Sequence, residues 1–115
     1  MRLPLRSSRR LLLLIPLLVL PLSCHRPEPS IANYRTALNR ATANNLYTRR
    51  DAARVGALEG WHIRGEEFEV VVYRHRSPGT AHAWAKRHGS LHNGPLTLTV
   101  FKDVNRVAGS IFMSM

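Results

Sequence analysis

The sequence predicts an α+β domain: a small sheet of two to four strands with helices packed on one face, preceded by a cleaved N-terminal signal peptide. Three observations predict it. Phe68-Glu69-Val70-Val71-Val72-Tyr73 and Leu96-Thr97-Leu98-Thr99-Val100-Phe101 are short runs rich in β-branched and aromatic residues. Between and around them, apolar residues recur at helical spacing behind capping residues. The 22 residues from Arg74 to Pro95 are long enough for a right-handed crossover, which would make the two strands parallel.

Taken in order, Ser30 opens a first helix in which Ile31, Tyr34, Leu38 and Ala41 form an apolar stripe, and Asn44-Asn45 ends it. Thr48-Arg49-Arg50-Asp51 has the form of a capping box and predicts a second short helix carrying Ala52, Val55 and Leu58, stopped by Gly60. Trp61 and Ile63 then alternate with polar His62 and Arg64, and Gly65-Glu66 marks a turn. The run Val70 to Tyr73 reads as a strand buried on both faces near its end. Ser77-Pro78 predicts a cap followed by proline at the first helical position, with Ala81, Trp84, Ala85 and His88 on one face and Gly89 as the stop. Asn93-Gly94-Pro95 breaks the chain before the second strong strand. Asp103 caps a last helix with Val104, Val107, Ala108, Ile111 and Phe112 as its stripe. There is no internal repeat. So small a sheet leaves open edges, which invite a partner strand.

The N-terminus has a different character. Arg2, Arg6, Arg9 and Arg10 precede a 12-residue run, Leu11 to Leu22, that is apolar throughout and contains Pro16 and Pro21. A basic start, an apolar stretch of about 7–15 residues and a small residue before the cut define a secretory signal. A bilayer span needs about 20 apolar residues, so this run is short for a transmembrane anchor. Pro21-Leu22-Ser23-Cys24 resembles the lipobox of bacterial lipoproteins, although Leu20 sits one place earlier than that family prefers and Leu22 occupies a position usually small.

The resemblance implies cleavage before Cys24 and acylation of its thiol, and hence a protein held on membrane lipid. It divides the chain into a signal peptide over 1–23, a lipidated tether over 24–30 and a single domain over 31–115. It also implies residence at the cell membrane or outer membrane with the domain facing the periplasm. His25 stands where an aspartate would mark inner-membrane retention, which points to the outer membrane. The alternatives are a free thiol behind an ordinary signal peptide, or an uncleaved apolar anchor. His25-Arg26-Pro27-Glu28-Pro29-Ser30 reads as an extended tether, because prolines fix the backbone and bias the preceding residue away from helix.

Composition bounds the rest. Cys24 is the only cysteine, so no disulfide can staple the domain. Four of the seventeen basic side chains lie in the signal, and the remaining thirteen against seven acids leave a charge of +6. A basic domain on a lipid tether suits anionic headgroups or glycolipid. Arginine outnumbers lysine 15 to 2, a bias that GC-rich coding produces without any function.

Six histidines are present, four of them in one stretch: His75, His82, His88 and His92. His88 and His92 have the four-residue spacing of a helical metal pair, but Gly89 intervenes, and no acid lies between His75 and His92 to complete a ligand set. The plain alternative is a set of exposed histidines on a polar helix end. Nucleophile elbows, phosphate-cradling glycine loops and suitably set carboxylate pairs are missing, so an enzyme, a cofactor and a resident metal are not expected. Glu66, Glu67 and Glu69 read as a solvated hairpin tip.

Arg74, Arg76, Lys86, Arg87 and His88 suggest a basic patch, but export makes nucleic acid an unnatural partner. Trp61 and Trp84 read as packing residues. The expected role is a non-enzymatic envelope binding or assembly module with a protein partner. The alternative is a module for metal or anionic glycolipid on its basic, histidine-rich face.

Overall fold

A computed structural model describes residues 28–115. Its element order is α1 (Ile31–Ala41), β1 (Leu46–Arg49), a 3-10 turn (Ala53–Val55), β2 (Glu59–Arg64), β3 (Phe68–Arg74), α2 (Pro78–His88), β4 (Leu91–Asn93), β5 (Leu96–Asp103) and α3 (Val107–Ser114). The class is α+β, as the sequence predicts, but the sheet has five strands rather than two to four, in the order β1-β2-β3-β5-β4.

Every pairing is antiparallel, including β3 with β5. The parallel crossover expected between those two strands fails for a local reason. The connection holds β4 as well as α2, and a tight turn at Gly94-Pro95 folds β5 back on β4. One extra reversal changes the sense of β5. Gly94 lies at φ 58°, and the following proline is confined to negative φ, the sign pattern of a II′ hairpin turn.

Helices cover both faces of the sheet, not one. Val70, Val72, Ile63, Leu96 and Leu98 point to the side where Ile31, Tyr34 and Leu38 of α1 and Ala108 and Phe112 of α3 are buried. Val71 and Tyr73, one residue out of phase on β3, point to the opposite side and pack with Trp84 of α2 and with Ala52 and Ala57. Strand side chains alternate between faces, so the continuous run Val70-Val71-Val72-Tyr73 serves two cores at once.

The helix ends follow the sequence closely. Ser30 Oγ accepts from Asn33 N–H at 3.1 Å, and Ser77 Oγ accepts from Thr80 N–H at 3.1 Å, each satisfying an otherwise orphan amide. Pro78 occupies the first helical turn, and Gly89 ends α2 in the left-handed region at φ 65°. Ala41, expected on the apolar stripe of α1, is exposed. The last helix begins later than predicted, at Val107, and Val104 is an exposed turn residue. Asp103 nevertheless serves that helix: its carboxylate accepts from Ala108 N–H at 3.2 Å and Gly109 N–H at 2.9 Å.

The predicted second helix does not form. Thr48 lies in β1, and only one 3-10 turn follows, closed by Gly56 instead of Gly60. Its N-cap position is Ala52, without a side-chain cap, and the Asp51 carboxylate just before it accepts from Ala53 N–H at 3.1 Å. Gly60 instead lies in β2 beneath the Tyr73 ring, where a Cβ would stand 2.7 Å from two ring carbons.

Tyr34 ties α1 to α3 by donating its hydroxyl to Ala108 O at 2.9 Å, inside the core. Burial, aided by nearby Asp103 and Tyr47, pushes this phenol far above the ordinary tyrosine range, so it stays a donor. Replacing Tyr34 with phenylalanine keeps the ring and removes the bond. The expected loss is about 1 kcal/mol, read as a lower urea midpoint at unchanged slope.

Candidate functional site

The residues singled out by sequence are scattered by the fold. Cys24, the signal segment and most of the tether lie outside the described residues. His75 is buried, with Nε2 2.9 Å from Thr97 Oγ1 and Nδ1 without a partner among the described residues. Tyr73 and Trp84 flank its ring, Trp84 at 5.4 Å between centroids. Desolvation holds the His75 pKa below the usual histidine value.

His88 and His92 do not form a pair. His88, the last residue of α2, stacks on Trp84 one turn back at 4.0 Å with its Nδ1 2.8 Å from Trp84 O, and Gly89 then turns the chain out of the helix. His92, on β4, stacks instead on His82 at 4.3 Å with the ring planes 18° apart. Imidazole lone pairs lie in the ring plane, so near-parallel stacked rings do not converge on one ion. Among the described residues no group of three or more histidine, cysteine or acidic side chains is arranged to hold a metal.

The suggested basic patch is also divided. Arg74 is held by Glu59, its Nε 3.3 Å from Oε1. Arg76 lies at one end of α2, and Lys86 and Arg87 at the other. The glutamates after β2 act as staples: Glu66 accepts from Asn44 Nδ2 at 2.7 Å, Glu67 accepts from Asn105 Nδ2 at 3.0 Å, and Glu69 lies 2.8 Å from His62 Nε2.

What the fold brings together instead is a cluster of arginines around edge strand β1. Tyr47 and Arg49 alternate with Thr48, and their register against Ile63 and Trp61 turns them to the α1 side. There Arg35 of α1 sits over the Tyr47 ring at 4.3 Å and over Trp61 at 4.7 Å. Arg49 approaches Trp61 at 5.0 Å. The indole is fixed by Nε1 donating to Glu59 Oε2 at 2.8 Å. That bond, followed by the contact with Arg74, holds the Glu59 carboxyl below the ordinary range despite some burial.

Guanidiniums resting on aromatic faces keep their planar N–H edges available to carboxylate or phosphate. On the other side of β1, a groove of about 510 Å³ is lined by Thr48, Arg50, Asp51, Arg54 and His62, with Arg49 contributing to its lining as well. Asp51, bonded to Ala53 N–H, keeps its charge but stands among Arg49, Arg50 and Arg54, and His62 meets Glu69, so the groove is net positive.

No protein-family model, no curated protein and no solved structure matches this chain.

Sequence reasoning missed this cluster because it read the same residues as a helix. The signal that marks it is Leu46-Tyr47-Thr48-Arg49, an alternating strand pattern placed directly after the paired asparagines.

Proposed function

We propose that this chain is a lipid-anchored lipoprotein of the bacterial cell envelope whose domain is a non-enzymatic binding or assembly module. The observation that carries the reading is the order of features before the domain. An arginine-rich start, an apolar run, Ser23-Cys24 and a short proline-bearing tether lead into the cap of α1 at Ser30. Acyl chains on Cys24 hold the domain at the membrane surface, since each buried CH2 contributes about 0.8 kcal/mol. The six residues 25–30 reach no more than about 20 Å, so the domain stays close to the headgroups.

In cells fed a labelled fatty acid, the mature chain is expected to carry label and to sediment with membranes, while Cys24→Ala carries none. An unmodified sulfur at position 24 of the processed chain, or label persisting in the alanine variant, overturns the reading.

A second reading, a module for anionic glycolipid, draws on the arginine-lined groove beside β1. The metal branch of that reading has no cluster among the described residues to support it.

A further inference from the structure

The β1 side of the sheet is an open edge carrying net positive charge. Arg50 donates its backbone N–H to Gly60 O at 2.9 Å. In an antiparallel ladder each residue turns both its N–H and C=O to the same side, alternately. Leu46 and Thr48 therefore face β2 with Arg50, and Tyr47 and Arg49 present their amides and carbonyls outward. Among the described residues no strand lies beyond β1, and Leu46 at its start is 57% exposed.

Arginines flank this edge on both sides: Arg35 and Arg49 on the Trp61 face, Arg50 and Arg54 on the groove face. The nearby acids are outnumbered and engaged internally. Asp51 holds Ala53 N–H, Glu59 holds Trp61 and Arg74, and Glu69 holds His62. The only ion pairs among the described residues are those of Glu59 and Glu69, so none of these four arginines has a carboxylate partner there.

We infer that β1 is a docking edge for an extended acidic segment of a partner protein, which adds as a sixth strand. Backbone groups of Tyr47 and Arg49 supply the ladder. The arginines supply selectivity, meeting acidic side chains that alternate to the two faces of the added strand. The same arginines disfavour the competing occupants. A second copy pairing through β1 would bring Arg49 and Arg50 against their own kind, and like charges across a ladder destabilise it. A lipid surface offers negative charge but no row of backbone amides and carbonyls at ladder spacing to fill the edge. The inference deepens the binding-module reading above and names the kind of partner. It does not depend on acylation of Cys24.

The test uses the full chain in detergent with four synthetic hexapeptides. The first is Glu-Glu-Thr-Glu-Glu-Thr, which sends acids to both faces of an added strand, and the second replaces glutamate by lysine. The third and fourth are the glutamate peptide N-methylated on alternate residues, one in each phase. The glutamate peptide is expected to bind, the lysine peptide not to bind, and one N-methylation phase to abolish binding while the other retains it. Arg50→Gln with Arg54→Gln should weaken the glutamate peptide about tenfold, and added salt should weaken it further.

Arg49→Pro removes an outward amide at a position where an edge strand accepts proline, and should abolish binding where Arg49→Gln only weakens it. The N-methylated peptides give the same answer without altering the protein, should the proline variant misfold. Equal binding of both charge types, or indifference to N-methylation in both phases, overturns the inference. So does self-association lost in Arg49→Pro, which would make the occupant a second copy. So does salt-sensitive binding to vesicles containing lipopolysaccharide with no binding of the glutamate peptide, which would favour the glycolipid. Acyl labelling of Cys24 is scored separately, so loss of the anchor and loss of peptide binding are distinguishable.

Discussion

Replacing Phe112 with alanine is expected to cost about 3–5 kcal/mol, the range for truncating a buried aromatic side chain. Phe112 is fully buried, and its ring meets Tyr34 edge-on at 5.5 Å. It is the largest buried side chain of α3, beside Ala108, with Ile111 packed partly buried against the same core. Its carbonyl also accepts from Asn93 Nδ2 at 2.9 Å, linking the helix to β4. Truncation opens a cavity at the junction of α1, α3 and the sheet.

A domain of this size has a total stability of about 5–10 kcal/mol, so the variant should be largely unfolded in modest urea. Trp61 and Trp84 provide the fluorescence readout. Met113→Ala, one residue on and 52% exposed, should change stability by less than about 0.5 kcal/mol. If the Phe112 variant loses less than about 1 kcal/mol, α3 is not docked on the sheet as described.

The parts of the fold that were legible in sequence are those specified locally. Ser30, Ser77-Pro78 and Gly89 each carry a cap whose chemistry works over three or four residues, and each sits where the sequence places it. Phe68–Arg74 and Leu96–Asp103 are long enough for strand character to show. Asp103 was recognisable as a helix-binding carboxylate, although the helix starts four residues beyond it.

What escaped is specified by distant partners. β4 has three residues, too few to display alternation, and it exists because β5 pairs with it. β1 has four, two of them anchored by register to Ile63 and Trp61, while Thr48 and Asp51 imitate a helix start. The unbroken run Val70 to Tyr73 already pointed to burial on both faces. Placing all the helices on one face set that signal aside, and α2 packed against Val71 and Tyr73 is the consequence.

The site was less legible than the fold. Arginine excess is a property of composition, and nothing in a linear reading brings Arg35 of α1 and Arg49 of β1 to the same indole. The histidine spacing misled in the opposite direction. His88 and His92 are four residues apart, but Gly89 in the left-handed conformation ends the helix that would have placed them on one face. Spacing constrains geometry only while the secondary structure that gives it meaning continues.

The buried histidine has a consequence for acid stability. His75 is 2% exposed, bonded through Nε2 to Thr97, with Nδ1 unpartnered among the described residues. Desolvation lowers its pKa in the folded state, and unfolding returns it to the ordinary value near 6.5. Between the two values the unfolded chain binds the extra proton, so stability rises with pH. The contribution is fully present above pH 6.5 and is lost as pH falls through and below that value. One proton of difference sets a limiting slope of about 1.4 kcal/mol per pH unit.

His75→Gln retains an amide that can reach Thr97 Oγ1 and carries no titrating group. Urea stability measured from pH 7.5 down to 5 should fall in the wild type and fall less steeply in the variant. The contributions of the five other histidines cancel in the difference. The carboxyl of Glu59, held below its usual value, titrates beneath this window. Parallel curves for the two proteins would mean that the folded protein accommodates the imidazolium at position 75, with solvent reaching Nδ1. A slope appearing only in the wild type would make the enclosure by Tyr73 and Trp84 the cause of its acid sensitivity.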